Sequence, residues 1–192
     1  VSAWDAWHPA EAAQRLAGVD VPWAVIAGWS LDLFRGGQTR EHEDLEIGVP
    51  EHGFEAVREA LGDFEVFAIV DSKCVPADDA TLAVSHQTWV REPTTGLWRL
   101  DVIREPWDGD TWICRRDSRI SRPRDEVISH TADGIPYQRP EIALLFKAKH
   151  TREKDRADFG AVLPLLDDHS RAWLRDALEL VHPGHEWLHA VA

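Results

Sequence analysis

Two carboxylates two residues apart, Asp44 and Glu46, frame a run that is otherwise apolar, and no other feature constrains the chain as much. Side chains alternate across a strand, so Asp44 and Glu46 project from one face while Leu45, Ile47 and Val49 project from the other. The apolar face needs a core beneath it, which predicts a sheet strand over Leu45 to Val49. The acids are then either a solvated strand face or a seat for a hard divalent cation such as Mg2+. Upstream, the short apolar run Trp23 to Ala27 reads as a strand. Gly28-Trp29-Ser30 reads as a turn whose backbone N–H groups can approach a phosphate.

The rest of the chain supplies the frame for that pair. Pro9 opens a helix through Leu16, with Gly18 as its stop. Ser30 caps a short helix over Leu31 to Phe34, ended by Gly36-Gly37. Phe54 to Leu61 reads as helix and Phe64 to Val70 as strand. Thr81 to Arg91 and Trp98 to Arg104 read as two strands of an antiparallel hairpin turning at Pro93 to Gly96. In the second of them Leu100 and Val102 share one face and Asp101 points the other way, which makes Asp101 the candidate third carboxylate. Arg115 to Pro136 reads as loops with short strands. Helices follow from Pro140 to about His150, over roughly Lys154 to Leu166, and over Arg171 to Val181. The fold class is therefore α/β (α+β), a mixed sheet flanked by helices. The predicted division is an α/β domain over residues 1–135 and a helical region over 136–192.

Composition narrows the function classes. The 192 residues, 44% hydrophobic with ten tryptophans, suffice for one core and a small appendage. No apolar run approaches the ~20 residues that span a bilayer, and no signal-peptide pattern opens the chain at Val1, so the expected location is cytoplasmic. Cys74 and Cys114 are too few for a disulfide scaffold. A net charge of −13 argues against a nucleic-acid polymer as partner. It is compatible with a cationic small molecule drawn to an acidic cleft, although taken by itself the charge reads as acidity that serves solubility.

Three acids on neighbouring strands repel one another unless a cation sits among them. Phosphoryl and nucleotidyl transfer need such cations to bridge phosphates and neutralise developing charge. The segment Ala27-Gly28-Trp29-Ser30-Leu31-Asp32, followed by Thr39-Arg40-Glu41-His42-Glu43-Asp44-Leu45-Glu46, closely resembles the nucleotidyltransferases of antibiotic resistance. The nearest resemblance is to the aminoglycoside 2″-adenylyltransferase and lincosamide nucleotidyltransferase group, with its Gly-Gly-Trp-Ala-x-Asp turn and Thr-Arg-x-His-x-Asp-x-Asp run. The later run Arg139-Pro140-Glu141 through Lys147 and Lys149, with Lys154-Asp155 and Asp158-Phe159, resembles a helical segment of related proteins. This chain departs in two places: Ala27 replaces the first glycine, and Glu46 stands where the group has Asp.

The resemblance implies roles by position. Gly28 and Ser30 would line the nucleoside triphosphate, and Arg40 and Lys147 would contact phosphate or nucleotide. Asp44, Glu46 and Asp101 would hold Mg2+, with Asp101 also the general base. His42 would brace the acid strand. The implied reaction moves a nucleoside monophosphate, AMP from ATP, onto a hydroxyl of a small molecule such as an aminoglycoside or lincosamide, releasing pyrophosphate. Two alternatives stand beside it: nucleotidyl transfer to a protein hydroxyl, as in toxin–antitoxin pairs, and a non-catalytic nucleotide-binding domain. His185-Glu186-Trp187-Leu188-His189 fits the H-E-x-x-H zinc pattern. Only three residues follow it and no third ligand is in view, so it reads as a coincidence in a His-rich tail.

Overall fold

The computed structural model describes residues 3–191. In chain order the elements are α1 (Pro9–Arg15), β1 (Ala24–Val25), α2 (Ala27–Arg35), β2 (Glu46–Pro50), α3 (Phe54–Ala60), β3 (Glu65–Val70), β4 (Lys73–Pro76) and α4 (Asp79–Val84). Then come β5 (Gln87–Arg91), β6 (Trp98–Glu105), β7 (Trp107–Asp108), β8 (Thr111–Ile113), β9 (Ser121–Pro123), β10 (Ile128–His130) and β11 (Pro136–Gln138). The helices α5 (Pro140–Lys147), α6 (Glu153–Val162), α7 (Asp168–Val181) and α8 (Leu188–Val191) close the chain. The large sheet runs β10-β11-β1-β2-β6-β5-β3-β4, and β7-β8-β9 form a small second sheet. The large sheet is mixed: β1–β11 and β2–β6 are parallel, and its other pairs are antiparallel.

The alternation on β2 decides which way the sheet faces. Leu45, Ile47 and Val49 are buried with Leu100 and Val102 of β6, against Ala12 and Leu16 of α1's side and Phe54 and Val57 of α3. The opposite faces of the same strands carry Glu46 and Asp101, which are register partners across β2 and β6. A second cluster joins Leu31 of α2, Trp112 of β8, and Ile142, Leu144 and Leu145 of α5 to Leu174 and Leu178 of α7. The acids therefore lie on the sheet face turned toward α2 and α5, between the two cores.

Local chemistry explains most boundaries. Pro9 and Pro140 each open a helix at its first turn, where the missing N–H costs nothing. Gly36 ends α2 in the left-handed region at φ +89°, and its N–H and that of Gly37 close onto the last carbonyls.

Two expected elements are different. Trp23 to Ala27 contains only a two-residue strand, and Gly28-Trp29-Ser30 is not a turn but the first turn of α2. The Ser30 hydroxyl donates to the Ala27 carbonyl at 2.8 Å and caps nothing. Thr81 to Arg91 splits in two: residues 79–84 are α4, and only Gln87 to Arg91 is strand. A capping box between Asp78 and Thr81 outweighs the strand preference of Thr81 and Val84.

Candidate active site

The cleft forms where α2 and β2 begin, β6 ends and α5 finishes. It encloses about 310 Å3 and is lined by Gly28, Arg40, Asp44, Glu46, Glu105 and Lys147 among others. No side chain caps the N-terminus of α2 at Ile26, so the first amides of that helix, at Ala27, Gly28 and Trp29, end in the cleft with their positive dipole end. A Cβ on Gly28 would fall 2.9 Å from the His42 ring and closer still to the Arg40 guanidinium. Glycine is needed there because those two side chains pack onto its Cα.

The segment between α2 and β2 is pinned from below. Asp32, buried on α2, accepts from the Thr39 backbone N–H at 3.0 Å, from the Thr39 hydroxyl, and from His42 Nε2 at 2.8 Å. Burial raises the Asp32 carboxyl, but those hydrogen bonds from His42 and Thr39 outweigh it and hold the group below its ordinary range. Burial lowers His42, so near neutral pH the ring is uncharged and donates from Nε2. Its plane stacks on Trp29 with centroids 4.4 Å apart. His42 thus braces the approach to the acid strand.

The three acids couple electrically. Burial, then the neighbouring charge of Asp44, pushes the Glu46 carboxyl up to about 7, while Lys147, Arg115 and Arg152 pull it back. Asp101 lies one strand further in, 2% exposed and outside the cleft lining. Burial and then Glu46 raise it well above the carboxylate range. Gln87 Nε2 at 2.5 Å and Trp89 Nε1 at 3.1 Å both donate to its Oδ2. Its Oδ1 is buried with no partner.

A buried carboxylate oxygen without a donor, beside two further acids, is a costly arrangement that a cation relieves, and the donors are the hard oxygens that Mg2+ takes. The set fits such an ion. Among the described residues, however, no three ligating side chains already converge on one point.

Of the other sequence candidates, Gly28, Arg40 and Lys147 line the cleft and Ser30 does not; it is fully buried. Sequence reasoning missed Arg115, Arg116, Arg152 and Glu105, all of which line it. Arg115 and Arg116 lie on the connection from β8 to β9 and stack on Phe146 of α5 at 4.8 and 4.4 Å. Burial, then the charge of Arg115, lowers Arg116 to about 10. Glu105 accepts from Trp112 Nε1 at 3.2 Å and Arg115 Nε at 3.3 Å. The cleft does not share the net acidity of the chain. Six cations, Arg40, Arg115, Arg116, Lys147, Arg152 and Lys154, face four acids, Glu43, Asp44, Glu46 and Glu105. A triphosphate suits that lining better than a polycation does.

The H-E-x-x-H stretch lies elsewhere. Residues 185–187 precede α8, His185 Nε2 bonds the Ala148 carbonyl at 3.0 Å, and its Nδ1 accepts from the Trp187 N–H. Glu186 pairs with Arg156.

The family model for aminoglycoside-2″-adenylyltransferase matches residues 10–84, the stretch from α1 through the acid strand to α4. The solution structure of the antibiotic-resistance factor ANT(2″)-Ia superposes with a TM-score of 0.56 at 15% identity, covering 95% of both chains. The crystal structure of the lincosamide antibiotic adenylyltransferase LnuA with lincomycin bound superposes at 0.51 with 19% identity, covering 77% of this chain and 89% of that one. The chain has the nucleotidyltransferase fold. No curated protein matches it in sequence. The resemblance to this group holds: the matched family, whose match contains the first of the two motifs, and both superposed enzymes are nucleotidyltransferases. Within this fold Glu46 opens β2, Asp44 precedes that strand by two residues, and Asp101 lies on β6.

Proposed function

We propose that the protein is a nucleotidyltransferase that moves a nucleoside monophosphate, AMP from ATP, onto a hydroxyl of a small molecule of the antibiotic class, and releases pyrophosphate. The observation that carries this reading is the pairing of Glu46 with Asp101 across parallel strands, beside a cleft whose other walls are cationic. Asp44, Glu46 and Asp101 would hold Mg2+, which when bound supplies charge screening at the α-phosphate.

The chain's own residues do the rest. The uncapped amides of α2 and the side chains of Arg40, Lys147 and Arg152 receive the phosphates, because each presents donors or positive charge to the cleft. Asp101 Oδ1, the carboxylate oxygen that no donor occupies, takes the proton of the attacking hydroxyl. Residues 1–135 would supply the acids and the helix-end amides, and the helical region 136–192, besides lending Lys147 and Arg152 to the phosphates, would shape the choice of acceptor.

The test is incubation with labelled ATP, Mg2+ and a panel of lincosamides and aminoglycosides. Transfer of label to a lincosamide or an aminoglycoside with release of pyrophosphate, abolished in Asp44→Asn, is the expected result. ATP binding without transfer to any member refutes the antibiotic assignment. Absence of ATP binding refutes the nucleotidyltransferase reading itself.

A further inference from the structure

Three cleft cations are held by two carboxylates from outside the acid cluster, and both belong to α6. Arg40 Nε and Nη2 donate to Asp158 Oδ1 and Oδ2 at 3.2 and 3.1 Å, a two-pronged pair that bridges 118 residues of sequence. Lys147 Nζ lies 2.9 Å from Asp158 Oδ2 and 3.1 Å from Asp155 Oδ1. Arg152 Nε donates to Asp155 Oδ2 at 2.8 Å. Asp155 is fully buried and Asp158 nearly so, and neither lines the cleft. Arg40, Lys147 and Arg152 all do.

We propose that Asp158, with Asp155 beside it, is a positioning residue for the nucleotide's phosphates: it fixes the long side chains of Arg40 and Lys147 at the cleft wall before ligand arrives. The inference rests on the nucleotide reading of the cleft. A free lysine or arginine loses side-chain entropy when a ligand immobilises it. A cation already held by a buried carboxylate has lost that freedom in folding, so the ligand does not supply it again. Asp158 serves two cations at once, one from the motif segment before β2 and one from α5, and thereby sets the distance between them. Lys147 is also felt at Glu46, which places this device next to the acid cluster.

Charge and position make opposite forecasts here. Asp158 is an anion near a site for a polyanion. If only its charge mattered, Asp158→Asn would strengthen binding of phosphates. If it positions the cations, the same substitution weakens it.

The experiment measures Kd of wild type and Asp158→Asn for ATP with Mg2+, for inorganic tripolyphosphate, and for adenosine, together with the thermal midpoint. The expected result is a loss of roughly ten- to a hundredfold for ATP and tripolyphosphate with adenosine unchanged, and partial recovery in Asp158→Glu. In turnover the loss falls on KM for ATP more than on kcat, as for groups that bind ground and transition state alike. Equal or tighter ATP binding by the variant overturns the proposal and leaves the nucleotidyltransferase reading intact. Equal losses for ATP and adenosine show a general structural role and also overturn it. A wild type that binds neither ATP nor tripolyphosphate removes both. Should Asp158→Asn fail to fold, Arg40→Lys beside Arg40→Gln carries the comparison: if only charge matters the lysine variant keeps its affinity for ATP and tripolyphosphate and the proposal falls, whereas loss of a positioned two-pronged pair weakens both variants alike.

Discussion

At Ala27 the backbone has φ +56°, in the left-handed region, at the first residue of α2. A residue with a Cβ is strained there by about 1–2 kcal/mol. The resembling group has glycine at this position, and the geometry explains why. Ala27→Gly should therefore raise stability by about 0.5–1 kcal/mol after the extra backbone entropy of glycine is counted. Thermal melting should register an increase of a few degrees, and a midpoint unchanged or lowered would refute the strain. The adjacent Gly28 behaves oppositely. Its missing Cβ is the space that His42 and Arg40 occupy, so Gly28→Ala forces one of them to move. That change should cost about 1–3 kcal/mol. It should also weaken ATP binding, because Arg40 is the side chain displaced; a calorimetric titration beside the melt separates the two effects.

At the scale of elements, the pairing of β2 with β6 sets the pH response. Glu46 ordinarily titrates near 4.5 and in the folded chain near 7, so between those values the folded state holds a proton that the unfolded chain has released. Stability without divalent metal is then greatest below the unfolded value and is lost as pH rises through about 7, by at most about 3 kcal/mol from this group. Asp101 contributes in the same direction. Melts of the metal-free protein from pH 5 to 8 should show this decline. Glu46→Gln should flatten it, and Mg2+ should restore stability at pH 8 in the wild type only. A wild type whose stability rises over that range would contradict the coupling.

Elements also account for what the sequence revealed and what it hid. Strand β2 was legible because Leu45, Ile47 and Val49 alternate with acids, and α1 and α5 because proline marks their starts. The beginning of α2 was hidden: Gly28 and Ser30 are the residue types of a turn and a cap, yet both lie within a helix whose start is set by the strained Ala27. The helix α4 carried a readable signal in Asp78 and Thr81, masked by β-branched residues. The acids and Lys147 could be found from local pattern and motif resemblance. Arg115, Arg116 and Glu105 could not, since nothing local distinguishes a loop arginine that folds onto Phe146 from one in solvent. Nor could the partnership of Arg40 with Asp158, which exists only once α6 has packed.

The whole molecule raises the question whether the predicted division at 135/136 is a boundary in stability. Strand β10 ends at His130 and β11 begins at Pro136, and the two pair across the proposed border. Strand β11 in turn pairs with β1 near the centre of the large sheet. The second apolar cluster takes Leu31, Trp112, Ile120 and Val127 from one side and Ile142, Leu145, Leu174 and Leu178 from the other. The Arg40–Asp158 pair adds an ionic tie. Separating the halves would expose much of a core and leave the buried Asp158 without its arginine, which costs several kcal/mol. Neither half then has a stable state without the other, and unfolding should be a single cooperative transition. Tryptophans lie in both clusters, Trp7, Trp23 and Trp29 in one and Trp112 and Trp187 in the other, so their fluorescence samples both. Denaturant curves followed by tryptophan emission and by far-ultraviolet circular dichroism should coincide, and a fragment of residues 1–135 should fail to fold. Two separated transitions, or a soluble folded fragment, would mean that the helical region is an independent unit. The fixed spacing of Arg40 and Lys147 at the cleft wall would then have to be assembled by ligand rather than by folding.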